Sequence, residues 1–273
     1  MPAPGDCTHR SSGTNPGPPP ERPRALHGSP DGHSTTVKLR WIEPDQALPA
    51  PASALREPNG LLAAGRDLSP QRLIEAYRHG IFPWFSDGQP VLWWSPDPRM
   101  VLELDHFVIT RSFAKTLRKI RREGRWQLRL NTAFDRVMRE CAAPREGQDG
   151  TWIGEEIRDA YGALHRMGLA HSVETWSGAT LVGGLYGVSI GRMFFGESMF
   201  ARQPEASKVA LAGLVALLRR CDFRMIDCQQ NTSHLASMGA HEIDRHSFLR
   251  QVDELISLTP PDWSTLQIEL PDA

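Results

Sequence analysis

Residues 171–200 hold three strand-like runs in immediate succession, and the connections between them are too short for a helix. "HSVETW" (171–176) alternates in character and ends at a Ser177-Gly178 turn. "TLVGGLYGVSI" (180–190) follows, Gly191 turns the chain, and "RMFFGESMF" (192–200) forms the third run. Short turns between strands give antiparallel neighbours, because parallel pairs need a long crossover. "GEEIRDAYGALHRMG" (154–168) precedes them as an amphipathic helix stopped by Gly168. "EASKVALAGLVALLRRC" (205–221) follows as an apolar-striped helix, and "FRMIDCQQ" (223–230) is a further strand. This order, α-β-β-β-α-β, predicts an α/β (α+β) domain on a mostly antiparallel sheet.

The rest of the chain can supply the core such a sheet needs. Its 273 residues are 40% hydrophobic and 23% charged, the balance of a globular protein with one large or two smaller domains. Residues 1–38 are the exception. They are dense in Pro, Gly and Ser, cannot bury enough surface to offset their ordering entropy, and are expected to be a disordered tail. A start codon assigned too far upstream gives the same pattern. No apolar run approaches the roughly 18 residues of a membrane span, and the N-terminus lacks a secretory pattern. Cys7, Cys141, Cys221 and Cys228 have no CxxC spacing, which argues against a zinc knuckle or disulfide framework and fits a reducing cytoplasm. With a net charge of −1, any nucleic-acid contact must come from a local patch.

Two such local features stand out. "LSPQRLIEAYRHGIF" predicts a helix with Ser69 as N-cap, Pro70 at the first position and Gly80 as stop. It leads into "FPWFSDGQPVLWWSPDPRMVL", where Trp84, Trp93 and Trp94 lie among turn residues. Aromatics set between prolines either fill a small core or stack on a nucleoside. The second feature is residues 111–129, with eight Lys or Arg against one Glu. Arg111, Lys115, Arg118 and Arg122 share one helical face while Phe113, Leu117 and Ile120 form the other. That face is either simply solvated or a phosphate-binding surface.

Polar residues inside the strands are the sharpest signal. Glu197 sits in the middle of an apolar run, and a buried, unpaired carboxylate costs several kcal/mol. Asp227 and Gln229 share one face of the last strand, opposite Ile226 and Cys228. Alternation groups Glu197 with Met193, Phe195 and Met199, while Gly196 beside it permits a bulge that re-aims it. These groups either brace neighbouring strands or converge on a polar substrate such as an amine. His165, His171 and His234 lack metal-ligand spacing. No G-x-S-x-G, P-loop or dinucleotide fingerprint is present, and "LVGGLYG" lies mid-strand with no helix N-terminus after it.

Taken together, "REPNGLLAAGRDLSP", "YRHGIFPWFS", "WWSPDPR", "TWI", "AHSVETW", "LVGGLYGV", "GESMF", "ASKVAL", "IDCQ" and "HLASMGA" resemble the leucyl/phenylalanyl-tRNA–protein transferases, in order over residues 55–250. The resemblance implies a small N-terminal domain (39–97) and a GNAT-like acyltransferase domain (98–273). It implies transfer of Leu or Phe, and less efficiently Met, from tRNA to proteins with N-terminal Arg or Lys, marking them for degradation. No metal or coenzyme is implied, since the aminoacyl ester is already an activated donor; a cytoplasmic monomer without membrane contact is expected. By the same resemblance Glu197 orients an amino group, and Asp227 polarises Gln229, which brings the attacking amine to the ester. Trp84 and Trp152 flank the terminal adenosine, while Leu185, Phe194, Leu214 and Ile226 line the donor side-chain pocket. Arg111 and Arg118, with Lys115 and Arg122 on the same face, grip the tRNA.

The chain departs from the family at Ala201 and Glu205, where Ser and Asn are usual, and its basic segment is a few residues longer. Two other readings compete. A GNAT enzyme using acyl-coenzyme A needs a glycine-rich pyrophosphate loop after the third core strand, but "ARQPEASK" has no glycine. A non-catalytic tRNA-binding module has no need of Glu197, Asp227 and Gln229.

Overall fold

The computed structural model describes residues 39–143 and 153–271. The expected disordered tail and Trp152 therefore lie outside the described residues. Mixed α and β structure is found as expected, in two sheets. The first has the order β1-β2-β4-β3, from β1 (Arg40–Ile42), β2 (Leu61–Gly65), β3 (Phe82–Pro83) and β4 (Val91–Trp94). Helix α1 (Pro70–Arg78) lies between β2 and β3, and the Ser69 hydroxyl accepts from Arg72 N–H at 3.3 Å, so the predicted cap is in place.

The second sheet has the order β11-β5-β10-β9-β8-β7-β6. Its strands are β5 (Arg99–Glu103), β6 (Gln127–Leu130), β7 (Ala170–Ser177), β8 (Thr180–Ile190), β9 (Met193–Ala201), β10 (Met225–Gln229) and β11 (His241–Ile243). All its neighbours are antiparallel except β9 and β10, which α5 (Ala206–Arg220) connects as a crossover. The remaining helices are α2 (Arg111–Glu123), α3 (Phe134–Ala142), α4 (Glu155–Arg166), the single turn α6 (Ser233–Ala236) and α7 (Arg245–Ile256).

The large sheet carries a core on each face. On one, Phe195, Val101, Met193 and Met225 pack with Tyr77, Tyr161, Trp93 and Phe248, so the small sheet, α1, α4 and α7 share this core. On the other, Phe194, Ile226, Leu102 and Leu185 pack under α5 and α2. The glycines of "LVGGLYG" serve this packing. A Cβ at Gly183 would lie 2.5 Å from that of Ala206, so α5 sits this close to β8 only over glycine. One at Gly187 would lie 2.3 Å from the Phe195 carbonyl oxygen and clash with the Phe194 ring.

Helix α2 buries Phe113, Leu117 and Ile120 and exposes Arg111, Lys115, Arg118 and Arg122, as the helical spacing predicts. Thr110 caps its start by accepting from Phe113 N–H at 3.2 Å. The basic segment is not one helical face throughout. Arg125 and Arg129 fall beyond the helix, where they lie over the rings of Trp126 and Trp176 at 5.1 and 4.6 Å.

Candidate active site

Two irregularities in adjacent strands bring the polar residues together. Strands β9 and β10 pair in parallel only at Phe194–Ile226 and Phe195–Asp227. Immediately beyond, each acquires an extra residue. Gly187 of β8 faces Gly196 while Tyr186 faces Ser198, so Glu197 is the bulged residue of β9. On β10 the partners of β5 jump from Asp227 to Gln229, which makes Cys228 the extra residue. The bulge also revises the alternation. Met193 and Phe195 lie on the α1 and α4 side, as expected for the group with Glu197, but beyond the bulge Met199 packs on the α5 side.

The bulge presents the Glu197 carboxylate to three donors. Its Oε1 accepts from Tyr77 O–H at 2.7 Å and from Gln229 Nε2–H at 3.0 Å, and its Oε2 accepts from Tyr161 O–H at 3.0 Å. The two tyrosine hydroxyls also contact each other; as each carries a single proton, all three contacts are hydrogen bonds only when the Glu197 carboxyl supplies the third proton. Burial pushes the Glu197 carboxyl up to about 7; Asp227 adds to the shift, while the tyrosine hydrogen bonds oppose it. Tyr77 and Tyr161 are driven well above the ordinary phenol range, by burial first and the charge of Glu197 second, so both remain donors.

Asp227 is fully buried and bound on two sides. Arg99 donates to it through Nε (2.8 Å) and Nη2 (2.6 Å), a bidentate pair. Arg99 in turn is clamped between the rings of Phe82 and Phe248, at 4.7 and 4.5 Å, and donates to the Gly80 carbonyl at 3.1 Å. Asp227 reaches Gln229 through the main chain, accepting from its N–H at 2.9 Å. Gln229 has φ of 64°, a conformation that residues with a side chain adopt rarely and at a cost of about 1–3 kcal/mol unless held. The Asp227 carboxylate supplies that hold. With its Nε2–H on Glu197, the Gln229 amide keeps its carbonyl oxygen for an incoming donor.

The other singled-out residues distribute as follows. Leu185, Phe194, Leu214 and Ile226 are buried in the core under α5, with Phe194 and Ile226 paired across β9 and β10 just below Glu197 and Gln229. Trp84 is partly buried against Trp94, whose indole N–H donates to the Trp84 carbonyl at 2.7 Å. His171 stacks on Trp263 at 3.8 Å, and burial, with a contribution from His165, holds its pKa down to about 3. His165 stacks on Phe134 at 4.2 Å, so both histidines serve packing. Glu205 precedes α5 and pairs with Lys208 at 3.2 Å.

A sequence-family model described as leucyl/phenylalanyl-tRNA protein transferase matches residues 101–253, and the model of that family's N-terminal domain matches residues 66–97. The chain belongs to this family. It is 58% identical over 227 residues to the leucyl/phenylalanyl-tRNA–protein transferase of Burkholderia pseudomallei strain 668, covering 82% of this chain and 89% of that one. The corresponding protein of Bordetella petrii is 54% identical over 238 residues, 85% of this chain and 94% of its own. Among solved structures, L-PGS from Bacillus licheniformis aligns with 64% of this chain and 56% of its own at 11% identity, with a TM-score of 0.37, too low to argue from.

Three residues of this family member's site escaped sequence reasoning: Arg99, Tyr77 and Tyr161. Each lies within a stretch whose spacing explains its secondary structure but not its partner. Arg99 ends "WWSPDPR", and a cation entering an otherwise apolar strand was the available sign.

The raised pKa of Glu197 has a measurable consequence for stability. Between about pH 4.5 and 7 the folded protein holds a proton on Glu197 that the unfolded chain has released, so this residue makes stability fall as pH rises through that window. Above it the cost is on the order of 3 kcal/mol. Glu197→Gln, which cannot ionise, should therefore gain in urea midpoint relative to the unsubstituted protein between pH 5 and pH 8. Parallel midpoint curves would show that the carboxyl is not perturbed.

Proposed function

We propose that the protein transfers Leu or Phe, and less efficiently Met, from its tRNA to the α-amino group of proteins beginning with Arg or Lys, and so marks them for degradation. The observation that carries this reading is the Glu197–Gln229 pair at the mouth where β9 and β10 diverge, above an apolar wall. An aminoacyl ester presents an amine and an apolar side chain together, and this arrangement offers an acceptor group for one and apolar surface for the other.

Glu197 holds the donor's amino group as a cation; the approach of that cation favours the ionised carboxylate. The acceptor's amine, unprotonated, attacks the ester carbonyl carbon while one of its hydrogens is donated to the Gln229 amide oxygen. The tetrahedral intermediate expels the ribose oxygen, which takes up the proton that the attacking nitrogen gives up, and a peptide bond replaces the ester. Asp227 acts on this step through the backbone of Gln229. Leu185, Phe194, Leu214 and Ile226 receive the donor side chain, and Trp84 and Trp152 the terminal adenosine. The reading includes an N-terminal domain over 39–97, a GNAT-like catalytic domain over 98–273, and a cytoplasmic monomer. The parallel β9–α5–β10 unit within an otherwise antiparallel sheet favours the GNAT assignment. Acyl-coenzyme A is disfavoured as donor, because the Glu205 carboxylate stands at the N-terminus of α5 where a pyrophosphate would need backbone N–H groups.

Incubation with radiolabelled Leu-tRNA and a protein bearing N-terminal Arg should label the acceptor; an unlabelled acceptor overturns the reading. The exposed face of α2 supplies phosphate contacts. Changing Arg111, Lys115, Arg118 and Arg122 to Glu should weaken tRNA binding and flatten the log–log salt dependence by about 0.9 for each phosphate no longer neutralised. An unchanged slope would make this a merely solvated face.

A further inference from the structure

Away from the transfer site, two histidines and a glutamate from separate parts of the chain meet at the surface. Glu103 ends β5, His106 follows in the 3-10 turn Leu104–His106, and His241 opens β11, the edge strand beside β5. One ligand atom from each lies within 4.8 Å of the other two. The Glu103 Oε2 and His106 Nδ1 atoms are 3.0 Å apart, and the His106 and His241 rings are 5.5 Å apart at 51°. Two atoms bound tetrahedrally to one zinc ion at its usual bond lengths are about 3.3 Å apart, so the first pair is close to that spacing, and the His241 nitrogen, within 4.8 Å of both, has to approach by up to about 1.5 Å.

The backbone beneath these side chains is fixed. His241 pairs with Val101 in the β5–β11 ladder, Leu104 N–H donates to the Arg224 carbonyl at 2.8 Å, and Val108 N–H donates to the Met238 carbonyl at 3.0 Å. The turn before β11 presses against the His106 carbonyl so closely that a Cβ at Gly239, whose φ is 100°, would lie 2.0 Å from that oxygen. The three ligands are thus carried by held backbone while their side chains keep access to water, with His106 58% and Glu103 35% exposed. Two imidazoles and one carboxylate select borderline divalent ions such as Zn²⁺, Co²⁺, Ni²⁺ or Cu²⁺ over Mg²⁺ or Ca²⁺, which require mainly oxygen ligands.

We propose that Glu103, His106 and His241 form a binding site for one Zn²⁺-like ion, completed by water, that clips the edge strand β11 to β5. The ion takes no part in transfer. Its effect is to stabilise the folded chain by mass action, since the unfolded chain does not bring the three ligands together.

The test is calorimetric titration of the full-length, untagged protein with Zn²⁺, alongside thermal melting with and without the ion. We expect micromolar binding of one ion that raises the melting temperature. Glu103→Gln, which keeps shape and removes charge, should weaken it at least tenfold, and His106→Ala with His241→Ala together should abolish both the binding and the rise. Because either histidine change also removes the contact between the His106 and His241 rings, the histidine ring signals in nuclear magnetic resonance spectra of the unsubstituted protein supply an independent readout. Those of His106 and His241 should shift together on adding one equivalent of Zn²⁺. Absence of binding at millimolar Zn²⁺, or binding that survives Glu103→Gln and the double histidine change undiminished, overturns the proposal.

Discussion

Glu197→Gln should lower single-turnover transfer roughly 30- to 1,000-fold, the 2–4 kcal/mol typical of losing one preorganised polar group at a reacting centre. The substitution is nearly isosteric, and the hydroxyls of Tyr77 and Tyr161 can reorient to an amide oxygen, so the fold should survive. What is lost is the negative charge that holds an ammonium group. If this carboxylate only braced the strands, melting would suffer and the rate per folded molecule would not. Measuring both on one preparation separates the two roles, and an unchanged rate would remove Glu197 from the chemistry.

Arg99→Met should destabilise the protein by about 3–5 kcal/mol, because it strands the Asp227 carboxylate, which is fully buried, without its counter-charge. Adding Asp227→Leu should restore much of that stability, since replacing both members of a buried ion pair with apolar groups is often close to neutral. Transfer should stay low in the double variant. Without the Asp227 acceptor the Gln229 main-chain N–H loses the carboxylate that holds it, and the left-handed backbone that aims its amide at Glu197 relaxes. Recovery of transfer along with stability would mean that the pair is only a strut. Asp227→Asn alone is a poorer probe than Glu197→Gln, for it leaves the Arg99 charge unmatched.

How far apart the interacting residues lie in the chain explains what could be read from the sequence. The β7–β8–β9 meander, the flanking helices and the basic face of α2 were legible because each rests on periodicity and punctuation within a few residues. Glu197, Asp227 and Gln229 were conspicuous as polar groups in apolar strands, and Gly196 allowed the bulge without requiring it. Their partners were not legible. Arg99 and Asp227 are 128 residues apart, and Tyr77 and Glu197 are 120 apart, so only the assembled sheets bring them into contact. Asp227 was expected to polarise Gln229; that it reaches this residue through the main-chain N–H depends on a φ angle no residue pattern reports. The short strand β11 has too few residues for a periodic signal, and with it the meeting of His241 and His106 was hidden.

The extra residue at position 197 acts on the strand as a half-period slip acts on a wave. Upstream of it, odd-numbered side chains of β9 point towards Tyr77 and Tyr161; downstream, Phe200 takes that direction and Met199 the opposite one. Recoding this strand as a single alternating pattern would therefore exchange the residues meant for its two faces beyond Glu197. Deleting residue 197 would close the slip and leave the later side chains on their present faces, sacrificing the site alone. Deleting any one of residues 198–200 with the bulge kept in place would instead invert whatever follows it. Length changes tolerated within this strand should accordingly fall at the carboxylate or come in pairs, and libraries built here need two separate parity rules, one on each side of it.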